Sequence, residues 1–233
     1  VLLMTGLGLG ALALVSAARA REARPGWKLA GGMGLLTAVA VTSKVTALPL
    51  LAVPVLVLRG WRERGIWAGT AMAAGGLILI PAYGRLWKLW SLAHAIATTT
   101  GRYGNPSWPA ASPAGNGAAL VLRLSEAPLM VLAGALCGAA AWRTRGRGSG
   151  GRWGSAGGAS GAFCVALVLQ AALEWTHPYE SRYLLPGLAL VGPALVAAGW
   201  ALRPHVSRAW STAAARQMLG LGTGFLAVVS VWW

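Results

Sequence analysis

The chain alternates between long apolar runs and short basic loops, and this alternation limits the folds open to it. The runs lie at about residues 1–18, 29–58, 66–83, 127–142, 159–175, 184–202 and 217–233. Backbone polar groups inside a bilayer must be satisfied within their own segment, so such runs predict helices. A soluble domain carries roughly a quarter charged residues, whereas this chain carries 11%. The sequence therefore predicts an all-α polytopic transmembrane helix bundle.

The run at 29–58 is too long for one simple crossing. As a single helix it would measure about 45 Å, against a hydrocarbon core of about 30 Å. Thr42-Ser43-Lys44 stands at its middle, and Pro49 and Pro54 follow. It is either one tilted span with Lys44 near mid-bilayer, or two short helices that turn at residues 42–46.

The distribution of basic residues favours the two-helix alternative. With two helices, the loops 19–28, 59–65, 143–158 and 203–216 share one side and carry 14 of the 20 Lys and Arg residues. With one helix, the split becomes 9 inside and 10 outside. Cytoplasmic loops are rich in Lys and Arg, so the first split is the expected one. It predicts eight membrane segments, with Lys44, residues 84–126 and residues 176–183 on the outer face. Each arm of the pair has only about 14 residues, which favours a re-entrant or protein-buried arrangement.

We expect a single transmembrane domain over residues 1–233. Both ends fall inside apolar runs, so we expect the chain to be a fragment of a longer protein. Residues 143–158 are rich in Gly and Arg and predict a flexible cytoplasmic linker. The net charge of +15 lies in the loops rather than on one helix face, which indicates membrane topology and no nucleic-acid partner. Near the predicted helix ends, where indoles prefer the interface, lie Trp27, Trp61, Trp67, Trp142, Trp175 and Trp200.

The outer loop 84–126 begins with an amphipathic stretch at 85–96, typical of a helix lying on the membrane surface. A turn-rich stretch follows at 101–109. The loop either guards a lipid-facing site or is an ordinary juxtamembrane segment anchored by basic side chains such as Arg85 and Lys88.

Residues 176–183 gather a His, a Glu, an Arg and two Tyr at the mouth of the apolar run 184–202. Ionisable groups beside hydrocarbon are costly and usually face a cavity or a polar ligand. Arg binds phosphate oxygens with two parallel donors, and Lys supplies a point charge. A lipid phosphate could be neutralised here while its tail stays in hydrocarbon. The candidate phosphate-binding side chains on the outer face are Arg182, Lys44, Arg102, His177, Tyr183 and Tyr179.

Each candidate also has an ordinary structural role open to it. Arg182 can pair with Glu180 or Glu174, and Lys44 can cap the turn between the two short helices. His177 precedes a proline and fits a loop residue, while the two tyrosines fit an interface belt.

Motifs of soluble enzymes are missing from the sequence. It contains no P-loop, HExxH, CxxC or GxSxG pattern and no Asp, so nucleotide hydrolysis and zinc or serine hydrolysis are unsupported. No metal site and no cofactor are predicted.

Three stretches resemble the GT-C class of polytopic glycosyltransferases, which use polyprenyl-phosphate-linked sugars. The first, from Gly34 through Thr42-Ser43-Lys44-Val45-Thr46 to Leu58, is similar to that class's short helix pair with a Lys at its turn. The second is Pro81-Ala82-Tyr83 followed by Gly104-Asn105-Pro106. The third is Glu180-Ser181-Arg182-Tyr183-Leu184-Leu185-Pro186 with Pro193 further on, which resembles an Arg-Tyr-led late helix.

The resemblance implies transfer of a sugar from a polyprenyl-phosphate donor on the outer face of a bacterial plasma membrane. It places the acidic base in an earlier loop, upstream of Val1, so we expect this chain to be inactive alone. Two alternatives stay open: a polytopic transporter or flippase subunit, because broken helices also suit alternating access, and a non-enzymatic integral membrane protein.

Overall fold

The computed structural model describes residues 1–19, 26–85, 87–88, 90–91, 94, 113–145, 156–176 and 184–202. These ranges are helical throughout, apart from short connections, and contain no strand. The helices are α1 (Leu2–Ala18), α2 (Trp27–Ser43), a 3-10 helix (Val45–Leu51), α3 (Ala52–Val57), α4 (Trp61–Leu79), a second 3-10 helix (Ile80–Arg85), α5 (Pro113–Glu126), α6 (Pro128–Arg145), α7 (Ala156–Thr176) and α8 (Leu185–Leu202). The predicted all-α fold is confirmed for these ranges.

Three helical segments are long and apolar enough to cross a membrane: Trp61–Arg85, Gly157–Trp175 and Leu185–Leu202. They indicate an integral membrane protein. A further pair, α5 and α6, meets at an angle of 94° around Ala127. Pro128 explains this bend, because proline has no backbone N–H and its ring clashes with the carbonyl one turn earlier. The predicted segment at 217–233 lies outside the described residues.

The run at 29–58 forms two arms that turn at Lys44, as the charge distribution predicted. The N–H of Gly26, before α2, donates to Glu63 Oε1 at 3.0 Å. The N–H of Arg59, after α3, donates to Glu63 Oε2 at 3.2 Å. One carboxylate therefore joins the start of the first arm to the end of the second, so the chain has reversed its direction in between.

Two prolines explain why the second arm is not a continuous α-helix like the first. In a continuous α-helix, the ring of Pro49 would clash with the carbonyl of Val45. Helix α2 ends at Ser43, before that clash would arise, and Lys44 has an extended backbone (φ −161°, ψ 123°). The second arm, which we call the return arm, continues as a 3-10 helix and becomes α-helical at Ala52, so Pro54 falls in the first turn, where its missing N–H is not required. The side chains that this arm buries are those of Ala47, Pro49, Leu50, Val53, Pro54 and Val57.

Helix α4 lies along α2 and runs parallel to it. A Cβ on Gly34 would lie 2.7 Å from the carbonyl oxygen of Trp67 and 2.8 Å from Cβ of Thr70. The Trp67 indole N–H donates to Thr37 Oγ1 at 3.1 Å. Trp67 thus lies inside α4 and not at its end, which corrects the sequence-based expectation. Helix α4 lies at the periphery of the bundle, and none of its residues is fully buried.

The other helices pack around α8. Cys137 of α6 donates its S–H to the carbonyl of Ala194 at 3.1 Å, and Gly10 of α1 packs against Pro193. Helix α7 runs antiparallel to α6, because Gly134 faces Leu167 while Gly138 faces Cys164. Small residues at these crossings let the helix axes approach closely.

These pairings define two ends of the bundle. The Lys44 end holds Lys44, Arg85, the starts of α1, α6 and α8, and the end of α7. The Glu63 end holds Glu63, the starts of α2, α4 and α7, and the ends of α1, α3, α6 and α8. The described helix ends that border the predicted outer loops thus lie at one end of the bundle, and those that border the predicted inner loops 19–28, 59–65 and 143–158 lie at the other.

Several boundaries differ from the sequence-based ones. Helix α4 begins at Trp61, within the predicted loop 59–65, because basic side chains can leave a helix towards water. Helices α6 and α7 reach into the predicted linker 143–158 from both sides, and residues 146–155 lie outside the described part. Helix α5 was not expected within the outer loop. Of the predicted surface helix at 85–96, the described residues from Trp87 to His94 are helical.

Candidate functional site

Lys44 is the predicted site residue that the structure describes. It occupies the extended residue between α2 and the return arm, and its side chain is partly buried. An ammonium group at this turn lies at one end of the bundle, where it can face the interface rather than the middle of the bilayer. Its position fits an anion-binding side chain.

A threonine hydroxyl lies two residues further along. Oγ1 of Thr46 is buried and has no hydrogen-bond partner among the described residues. Leaving a buried hydroxyl unpaired costs about 1–3 kcal/mol. A ligand that supplied a partner to this hydroxyl would recover that free energy, so Thr46 belongs with Lys44 in the candidate site.

Helix α7 contributes two buried polar side chains on one face. Gln170 is 1% exposed and Glu174 is 0% exposed, and their spacing of four residues places them one above the other. Polar side chains inside a membrane helix are costly and usually functional. The carboxylate of Glu174 accepts hydrogen bonds, and the amide of Gln170 both donates and accepts.

Contacts between helices place Glu174 at the depth of Lys44. A Cβ on Gly187 would lie 3.0 Å from Cγ of Gln170. Across α1, Gly6 faces Ala189 and Gly8 faces Leu36, which brings Gln170 level with about residue 40 of α2.

Glu174 lies four residues beyond Gln170, about 6 Å further along the helix axis. Lys44 lies the same number of residues beyond residue 40. The 3-10 part of the return arm, which contains Thr46, packs against both α7 and α8. A cation, a hydroxyl, an amide and a carboxylate are therefore supplied to one end of the bundle by three neighbouring elements.

The other predicted site residues, Arg102, His177, Tyr179, Arg182 and Tyr183, lie outside the described residues. Thr176 and Leu184, which flank the segment 177–183, both lie at the Lys44 end. The structure therefore neither joins these five side chains to Lys44 nor separates them from it.

Gln170 and Thr46 were missed from the sequence. A single Gln or Thr in an apolar run is not distinctive, and burial depends on which face meets a neighbouring helix. Within the described ranges, no group of three or more His, Cys, Asp or Glu residues could hold a metal ion.

Lys44 and the hydroxyl of Thr46 suit the anionic part of a ligand. Gln170 and Glu174 are buried in the helix packing, so they lie behind the surface that a ligand would meet. No family model, no curated protein and no solved structure matches the chain.

Proposed function

We propose that this chain is the donor-binding part of a membrane glycosyltransferase that uses a polyprenyl-phosphate-linked sugar. Its Lys44 end would face the outer side of a bacterial plasma membrane, and eight membrane segments would include the two arms that turn at Lys44. The observation that carries the proposal is the position of Lys44: it stands at the turn of the arms, beside the unpaired hydroxyl of Thr46 and level with Glu174.

In this proposal each chemical part of the donor is contacted by side chains that suit it. Lys44 neutralises the phosphate, together with Arg182 and Arg102, while the prenyl chain stays in hydrocarbon. His177, Tyr179 and Tyr183 supply further hydrogen-bonding groups. Because the chain contains no Asp, and the resemblance assigns the base to another part of the protein, binding rather than transfer is the property to measure.

The test is the affinity for undecaprenyl phosphate of the full chain in nanodiscs. A large excess of phosphatidylglycerol over the probe occupies general contacts for anionic lipids. We expect Lys44→Ala to weaken binding about tenfold, or ~1.4 kcal/mol. Lys44→Arg should keep most of the affinity, and Lys88→Ala, which removes an exposed lysine beyond Arg85 at the same end, should keep all of it. Equal affinity of Lys44→Ala and the wild type would contradict the proposal.

Thr46→Val provides a second, independent test of the proposal. Because the hydroxyl is buried and has no partner within the described part of the chain, valine should leave thermal stability unchanged or slightly raised. Binding of undecaprenyl phosphate should nevertheless weaken several-fold. If binding survives Lys44→Ala, Thr46→Val and Arg182→Ala alike, the transporter or flippase alternative replaces the glycosyltransferase. Undecaprenol, which lacks the phosphate, should bind independently of Lys44.

A further inference from the structure

The Glu63 end carries a second charged surface that the proposed donor site does not use. Lys28 and Arg62 are exposed, one near the start of α2 and the other near the start of α4. The hydrogen bond from Gly26 to Glu63 holds these two helix starts together. Arg64 lies in the same turn of α4 as Arg62. Several cations are thus collected at the junction of two neighbouring helices.

Among the described residues at this junction the acid is Glu63, and both of its carboxylate oxygens accept hydrogen bonds from the backbone. Each oxygen accepts an N–H from a neighbouring segment, at 3.0 Å from Gly26 and 3.2 Å from Arg59. The exposed charged side chains that the structure describes around it are basic, so this part of the surface carries positive charge.

Two exposed indole rings indicate the depth in the membrane at which this surface lies. Trp27 is 53% exposed and Trp61 is 85% exposed. Each stacks with a cation, since Nζ of Lys28 lies 5.4 Å from one ring and the Arg64 guanidinium 5.5 Å from the other. Tryptophan prefers the level of the lipid headgroups, so these cations lie where phospholipid phosphates are found.

Below this level the apolar flank of α4 is uncovered. The segment Trp61–Arg85 is long and apolar enough to cross a membrane, and no residue of α4 is buried. Acyl chains can therefore lie along α4 while the headgroup meets the cations above them. Neutral lipids would fill the same apolar surface but would not match its positive rim.

We propose that the junction of α2 and α4 at the Glu63 end binds an anionic phospholipid, with its phosphate at Lys28, Arg62 and Arg64. This surface is opposite the Lys44 end and independent of the proposed donor site. The occupant is a phospholipid of the surrounding leaflet because the charged rim and the uncovered apolar flank are continuous along α4.

The experiment measures retention of phosphatidylglycerol against phosphatidylcholine by the full chain in a neutral detergent, using native mass spectrometry. The wild type should retain phosphatidylglycerol selectively. Removing two cations with Lys28→Gln/Arg62→Gln should weaken this binding by about fivefold per charge, or about 25-fold in total. The matched control, Arg85→Gln/Lys88→Gln, removes two exposed cations at the other end and should change nothing.

Equal losses in the two double variants would show a bulk charge effect and overturn the proposal, as would no loss in either. Stabilisation by sodium phosphate equal to that by phosphatidylglycerol would also overturn it. If the double variant fails to fold, each single variant should show a loss of about fivefold. Lys44→Ala should leave this binding unchanged, so the two sites can fail separately.

Discussion

Replacing Gly34 with alanine is expected to lower the free energy of unfolding by about 1–3 kcal/mol, the usual cost of overfilling a packed contact. The added Cβ would lie 2.7 Å from the carbonyl oxygen of Trp67 and 3.1 Å from the amide nitrogen of Ala71. Both atoms belong to the backbone of α4 and cannot rotate away. The two helices must separate, which also stretches the hydrogen bond from Trp67 to Thr37.

The matched control is Gly31→Ala in the same helix. A Cβ there meets nothing within 4 Å, so alanine should stabilise the helix by up to about 1 kcal/mol. Thermal unfolding in detergent measures both variants, with the midpoint of Gly34→Ala several degrees below that of Gly31→Ala. Equal midpoints would show that α2 and α4 do not pack at Gly34.

Glu63→Ala is expected to cost about 2–3 kcal/mol of stability, because it removes the acceptor of two backbone N–H groups and an acid from the first turn of α4. The hydrogen bond from Gly26 is partly buried and should account for most of the loss. Water can replace the acceptor at Arg59, where the hydrogen bond is exposed. Chemical denaturation of the purified protein measures the change.

Glu63→Gln keeps one acceptor oxygen and should lose about half as much. This order, with Gln between wild type and Ala, follows from the two hydrogen bonds. Arg62→Ala, which changes the adjacent exposed side chain, should leave stability nearly unchanged. A Glu63→Ala variant as stable as the wild type would show that the carboxylate does not join the two arms.

The reversal at Lys44 could be predicted because basic loops report membrane sides even where helix boundaries are ambiguous. The prolines at 49 and 54 marked the same region by removing backbone donors. The two hydrogen bonds that the Glu63 carboxylate accepts could not be predicted, because Glu63 was assigned to a loop and its partners are 37 and 4 residues away in the chain. Contacts of this kind arise only when the arms have packed.

In the candidate site, too, one residue could be predicted from the sequence and another could not. Lys44 was recognisable because a cation inside an apolar run is unusual. Gln170 was not, because its burial depends on the approach of Gly187 at the start of α8. Helix α5 was missed because its apolar and polar residues are mixed within a polar loop and its neighbours decide which face is covered.

The distance between residues 27 and 59 tests the reversal at Lys44 most directly, and the placement of the candidate site depends on that reversal. Spin labels at Trp27→Cys and Arg59→Cys, with Cys137→Ser and Cys164→Ala, can be measured by double electron–electron resonance in nanodiscs. A hairpin predicts a distance less than half the length of a straight helix over these residues, which is about 48 Å. A distribution centred near that full length would contradict the hairpin and move Lys44 to the middle of a single span.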